Sequence, residues 1–466
     1  MPLNCVQLRP GASGALCNQP LSAGPWPLQH SLAGSSRFGT HGCFRLPWYR
    51  MQEHELIYDW NTRSPAFHWD QCHVELIDET LRDRLQSPSV IDPHIDDKNA
   101  LLHLMVDLGI AAANIGLPGA GPRTRADTLA LAREIVSARL PISANSAART
   151  LVTDIEPIAR IAQEAGLAIE AGTFIGSSPI RQYAEDWTLE KMVRVSEDAV
   201  KFAVGEGLSV MFVTEDTTRA KPETLRALYG AAITCGARRV CLADTVGHAT
   251  PDGVRALVRF VREEIIAPAG IAVKIDWHGH RDRGNGLANC FAAIEAGVDR
   301  VHGTALGIGE RVGNAEMDLL LINLRLLGAH HHDLHRLPEY TALASRALGV
   351  AIPPSYPVVG EDAFRTATGV HAAAIAKAHK KGDAWLADRI YSGVPAGDFG
   401  LSQRIDVSHV SGISNVKSWL EAHGHDASDE PLCRHILDAA KRATRTLRDD
   451  EVTALVAEHK RIAVTA

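Results

Sequence analysis

Aromatic residues supply only 5% of the chain and charged residues 22%, with no excess of one sign large enough to define a partner. The net charge is −7 over 466 residues and there is no Lys/Arg run, which excludes the basic footprint of a nucleic-acid or polybasic membrane contact. No apolar run approaches the roughly 18 residues a transmembrane helix needs. None of the eight cysteines stands in CxxC spacing, so neither a zinc knuckle nor a disulfide framework is indicated. Reduced thiols in a cytoplasm-like compartment are expected. Asp, Glu and Lys are absent from the first 50 residues, which hold four arginines among many Gly, Pro and Ser. That stretch has no helical or strand period and no secretory h-region. Residues 1–50 are therefore expected to be a disordered or non-native extension ahead of Met51, with an arginine-bearing transit peptide as the alternative. Residues 51–72 read as a short N-terminal segment.

With hydrophobic residues at 45%, the rest of the chain can bury one large core and a smaller second unit. From His73 onward short apolar runs alternate with segments of helical period. The runs cover 73–78, 111–117, 141–146, 168–174, 208–213, 239–244, 272–277 and 300–304. Helical period occupies 98–108, 126–138, 154–165, 189–205, 222–235, 251–266 and 286–297, and several of these stop at a glycine: Gly109, Gly166, Gly236, Gly297. Eight such units predict a (β/α)8 (TIM) barrel over 73–330. A mostly helical accessory region follows over 331–466. A doubly wound sheet would want a glycine-rich phosphate turn after its first strand, where this chain has DETLRDRLQ, and GIGERVGN after the eighth strand lacks GxGxxG spacing.

In such barrels the active site lies at the C-terminal ends of the strands. Those ends carry Arg82 and Asp83, Asn114, Asn145, then Ser177, Ser178 and Arg181, Glu215 and Asp216, Asp244 and Thr245, His278 and His280, and finally Glu310 and Asn314. In IDWHGHRDRGNG, His278 and His280 stand two apart at a strand end, so both imidazoles leave one face together. Asp83 converges on the same mouth, with room for the Asn314 amide oxygen. One carboxylate and two imidazoles make a divalent-metal site with open positions.

Five motifs occur in order: LRDRLQ, ED followed by Arg219, ADTVGHATP, HGHRD and GIGERVGNA. Past the barrel come VVGEDAFRTATGVH, YSGVPAGDFGL and SHVSGISNV. Together, over roughly residues 73–455, the chain resembles the 2-isopropylmalate synthase and homocitrate synthase family, whose wider superfamily includes 3-hydroxy-3-methylglutaryl-CoA lyase. The resemblance implies condensation of acetyl-CoA with a 2-keto acid, followed by thioester hydrolysis, in a homodimer using zinc, manganese or magnesium. By the same resemblance Arg82 stabilises the developing oxyanion and Thr245 binds the substrate carboxylate. Glu215, His371 and Tyr391 form the acid–base group, the last two reaching in from the partner subunit. Arg181, in FIGSSPIRQY, falls where the far end of the substrate would lie and, if it faces the pocket, suits a dicarboxylic keto acid. Its alternatives are a path to solvent or a pair with Glu185, in which case Asn114 and Asn145 read the substrate.

Several positions depart from the family pattern. Arg84-Leu85 follow Arg82-Asp83 where glycine and an acid or amide are usual. Asn114 stands where the second strand usually delivers a glutamate that orients the arginine. Arg281 replaces the usual asparagine, and Ala372-Ala373 the usual polar pair. These leave two rivals: a lyase running the bond the other way, cleaving a 3-hydroxy acyl-CoA, and a catalytically silent binding paralogue.

Overall fold

The computed structural model describes residues 53–62 and 67–465. The chain divides into two units, 1–65 and 66–466. In the first, the described residues form a short helix, Glu53–Leu56, and a 3-10 turn, Trp60–Thr62. The expectation for residues 1–50 lies outside the described residues.

The second unit is built on eight parallel strands closed into a barrel in chain order. They are β1 (Glu75–Asp78), β2 (Ala112–Asn114), β3 (Ser143–Arg149), β4 (Ile169–Gly176), β5 (Ser209–Glu215), β6 (Arg239–Asp244), β7 (Lys274–Gly279) and β8 (Arg300–Gly303). Closure is made by β8 on β1, with Leu76 opposite Val301 and Asp78 opposite Gly303. Each strand feeds a helix: α1 (Ile95–Asp107), α2 (Pro122–Ser137), α3 (Val152–Ala165), α4 (Leu189–Gly205), α5 (Pro222–Thr234), α6 (Pro251–Val261), α7 (Gly286–Glu295) and α8 (Met317–Leu326). The predicted (β/α)8 barrel is present.

Local chemistry sets these bounds. α4 begins after Thr188, whose hydroxyl accepts from the Lys191 amide, and α3 ends on Gly166 at φ 66°. The helical period expected to run to 266 gives way after Val261 to a π turn, Arg262–Ile266, just ahead of Pro268, which has no N–H to continue the ladder. Leu101, Leu102, Leu104 and Met105 bury the inner face of α1 against the strands, each fully buried side chain contributing about 1.5–3 kcal/mol.

Inside the barrel, charge replaces the usual branched apolar layers near the strand beginnings. Arg300 on β8 reaches Glu170 on β4 at 2.6 Å and Asp276 on β7 at 2.6 Å, and Arg239 on β6 reaches the same two carboxylates at 3.1 and 2.6 Å. Strands four and eight are not neighbours, so these contacts cross the barrel interior.

After the barrel, α9 (Leu337–Leu348) inserts Leu337, Tyr340 and Ala344 into the barrel's own core, as do Phe364 and Phe399 further on. A two-residue parallel pair, β9 (Arg365–Thr366) with β10 (Arg404–Ile405), is flanked by α10 (Gly369–Lys380) and α11 (Ala384–Arg389). The closing helices α12 (Ile413–Ala422), α13 (Glu430–Arg442) and α14 (Asp449–Thr465) surround a separate core that includes Val416, Trp419, Leu420, Ile436 and Val452. Between α8 and α9, His330 is buried and its Nε2 lies 2.9 Å from the Leu108 carbonyl. Among the described residues no helix is long and apolar enough to cross a membrane, and the described cysteines are free.

Candidate active site

The turn after β1 organises the barrel mouth. Strand alternation sends Leu76 and Asp78 outward, Asp78 accepting from Tyr340 of α9, and sends Glu75 and Glu79 inward. Arg82 then donates from Nε (3.0 Å) and Nη2 (2.6 Å) to Glu79 Oε2, and from Nη1 (2.7 Å) to Asp83 Oδ1. Asn114, at the end of β2, donates from Nδ2 to the same Glu79 oxygen at 2.9 Å. Burial works to raise both Glu79 and Asp83, but the Arg82 guanidinium and the surrounding imidazoles outweigh it and hold both pKa values down.

His278 on β7 and His280 just beyond it face this turn. Their Nε2 atoms lie 3.8 and 3.7 Å from Asp83 Oδ2, and all three residues are buried. Ligands at about 2.0–2.2 Å from one ion stand at these separations. His280 also bridges to Asn314. Asn314 donates from Nδ2 to Asp83 Oδ2 at 2.5 Å, while its Oδ1, like His280 Nδ1, is buried without a hydrogen-bond partner among the described residues. A Cβ on Gly309 would fall 2.2 Å from that Oδ1, so only glycine lets the loop close over Asn314. Burial pushes His278 down to about 3, so near neutral pH it is a neutral imidazole with a lone pair to offer. The donor set fits a divalent cation.

Sequence reading missed the layer beneath. His302 on β8 stands between Glu79 (Nδ1 to Oε1, 2.9 Å) and Asp276 (Nε2 to Oδ2, 3.0 Å), and its Nδ1 is 3.4 Å from His278 Nδ1. Burial lowers its pKa, yet the two carboxylates prevail and raise it overall. Glu79, His278 and His302 form a second group close enough to share an ion. In that group, however, Glu79 is already bound by Arg82 and Asn114.

A cavity of about 370 Å³ opens over these residues. Arg82, Asp83, Asn114, Asn145, Glu215, Thr245, His278 and His280 all line it, with Ala147, Phe174, Met211 and Val213 as apolar wall. Asn145 donates to Glu170 at 3.0 Å. The Thr245 hydroxyl accepts from the Asp216 amide at 2.8 Å; the cap of α6 is Thr250. Arg219 pairs with Asp216 at 2.6 Å, leaving Glu215 out of the ion pair its spacing allowed. Burial raises Glu215. Arg181 does not line this cavity. It lines an adjoining one of about 450 Å³, shared through Phe174 and Glu215 and lined also by Arg149 and Lys191. There Arg181 stands 3.3 Å from Glu185 and 3.8 Å from Glu215. His371 and Tyr391 are brought together, their rings stacked at 4.0 Å, but neither lines the cavity of its own barrel.

Fold and donor set together define a (β/α)8 barrel with a candidate divalent-metal site at its mouth. Residues 73–343 match the HMGL-like family, and the chain belongs to that family. It is 31% identical over 361 residues to a homocitrate synthase from Methanopyrus kandleri, covering 77% of this chain and 84% of that one. Over 394 residues it is 28% identical to a 2-isopropylmalate synthase from Pyrococcus furiosus, covering 83% and 76%. The solved hydroxymethylglutaryl-CoA lyase from Pseudomonas aeruginosa, 20% identical, has a TM-score of 0.50 over 59% of this chain and 92% of its own, a likeness of fold.

Proposed function

We propose that this chain condenses an acyl-CoA, acetyl-CoA in the simplest case, with a 2-keto acid and then hydrolyses the thioester. The observation that carries the reading is the convergence of Asp83, His278, His280 and Arg82 on one cavity that also holds Glu215. Asp83, His278, His280 and Asn314 would hold a zinc, manganese or magnesium ion, which when bound supplies Lewis acidity toward a carbonyl. Arg82, fixed by two carboxylates, offers a preorganised positive charge to the alkoxide that forms on the keto oxygen as the new bond is made to the keto carbon. Thr245 binds the keto-acid carboxylate. Glu215 lies where the two cavities meet and takes the proton from the acyl methyl carbon, whose electron pair forms the new bond to the keto carbon. His371 and Tyr391 from the partner copy of a homodimer complete the acid–base group.

The cavity wall supports one class of keto acid over another. Among the described residues Arg82 is the one arginine lining the first cavity and no lysine lines it, while Asn114, Asn145, Phe174, Met211 and Val213 present amide and apolar surface. A distal carboxylate would be buried there unpaired, which is costly, so a keto acid with an uncharged side chain fits. The adjoining cavity, with Arg149, Arg181 and Lys191, suits the pantetheine arm and its phosphates.

The test is release of free thiol from acetyl-CoA with metal and a panel of pyruvate, 2-ketoisovalerate and 2-oxoglutarate. Thiol release is expected with the first two and weak with the third. Silence on all three together with cleavage of a 3-hydroxy acyl-CoA would replace this reading with the lyase. Silence on both would leave the binding paralogue.

A further inference from the structure

We infer that Glu79 is the residue that positions Arg82, so that the carboxylate for this arginine stands just past β1 while β2 contributes only an amide; its catalytic consequence rests on the function proposed above. The Glu79 side chain is 1% exposed and both of its oxygens face polar partners. Oε2 receives two bonds from Arg82 and one from Asn114, and Oε1 faces His302. Because Arg82 gives Nε and Nη2 to one oxygen and Nη1 to Asp83, both edges of its planar fork are fixed and little rotamer freedom remains. Asp83 takes one bond from the arginine and stands beside the two imidazoles, whereas Glu79 takes two, so Glu79 is the carboxylate that does most to fix the guanidinium.

The geometry also makes positions 79 and 114 mutually exclusive for charge. Asn114 Nδ2 is 2.9 Å from Glu79 Oε2. A carboxylate in place of that amide would set two buried negative charges face to face, with one arginine between them. Exactly one of the two strands can therefore carry the acid, and moving it from one to the other should be tolerated where duplicating it is not. With Glu79 in place the arginine does not lack a carboxylate, so an amide at position 114 is no ground for a catalytically silent paralogue.

Four proteins decide the matter, each metal-loaded: wild type, Glu79→Ala, Asn114→Glu, and the double variant Glu79→Ala/Asn114→Glu. In the double variant the longer side chain at 114 grows into the space vacated at 79. Thiol release should fall on the order of 10²-fold in Glu79→Ala, the size typical for a lost oxyanion-stabilising donor. Relative to that variant the double should recover roughly tenfold or more, with KM for the acyl-CoA little changed. Metal content near the wild-type level checks that each protein is folded.

Crystal structures supply the readout independent of activity. Arg82 should leave its place in Glu79→Ala and return to it in the double variant. If wild type releases no thiol with any keto acid, the function proposed above fails while the crystallographic arm still judges the positioning. Arg82 unmoved in Glu79→Ala overturns the inference, and so does undiminished turnover with Arg82 displaced.

Discussion

Arg82 uses all three of its nitrogens at once, toward Glu79 and Asp83. A lysine keeps the charge but presents one ammonium on a flexible stem, which cannot bridge two carboxylates in a fixed plane. Arg82→Lys should therefore lower kcat on the order of 10²-fold while metal content stays unchanged. Wild-type kinetics in that variant would reduce Arg82 to a structural ion-pair residue. Glu215 carries a pH signature. Burial raises its carboxyl, and a raised carboxyl keeps its proton to higher pH, so the base form is missing below the shifted value and appears above it. The acidic limb of kcat/KM should accordingly lie above the ordinary carboxylate range. The Arg181 charge opposes the shift, so Arg181→Leu should push the limb further up. Because Arg181 lines the adjoining cavity, the same variant should leave the preference between 2-oxoglutarate and 2-ketoisovalerate where it was. A preference that moves without the limb would put Arg181 back at the far end of the keto acid.

At the scale of the element, legibility follows strand period. The period-two rule that paired His278 with His280 holds for β1, β7 and β8 as well, and there it points Glu79, Asp276 and His302 inward. These were legible in principle. Two of the three sit one layer below the strand ends that mark a barrel's active site, and a carboxylate inside a short apolar run reads as noise without its cross-barrel partner. Arg239 and Arg300 were illegible for that second reason: their partners lie far away in sequence, Glu170 among them. Loops were harder still, since nothing in GIGERVGN tells which glycine is spacing and which is contact. The structure singles out Gly309, whose added Cβ would strike Asn314 Oδ1. Gly309→Ala should displace Asn314 and weaken metal binding by about 10- to 100-fold, the cost usual for disturbing a group that orients a metal site, with the barrel still folded. His278→Ala, which removes a candidate ligand outright from β7, should abolish tight binding and turnover together. Calorimetric titration of metal into both variants orders them. Equal affinity for Gly309→Ala and wild type would remove Asn314 from the site.

On the scale of the whole molecule, the accessory region was legible as helical, but its attachment was not. Tyr340, Phe364 and Phe399 read as ordinary apolar residues, and only the fold reveals that they belong to the barrel core, while Trp419 and Ile436 belong to a second one. The region is thus anchored at its beginning and self-supporting at its end. Between those parts lie His371 and Tyr391, stacked on each other, with Tyr391 about half exposed and its neighbours Val370 and Ile390 exposed as well. An exposed aromatic and apolar patch beside a titratable pair is surface prepared for contact, yet the pair does not line the cavity of its own chain. If a second copy receives it, the catalytic set is split between chains, and a two-fold dimer contains two such shared sites. Complementation then follows by counting. Arg82→Lys damages a chain's own barrel, His371→Ala damages the barrel of its partner, and in a mixed dimer both lesions fall on the same site. The other site is intact, so random mixing of the two variants should restore about a quarter of wild-type activity. Two inactive proteins, unfolded and refolded together and then assayed for thiol release, provide the measurement. No recovery from a preparation shown by mass spectrometry to contain mixed dimers would mean that His371 serves its own chain or none.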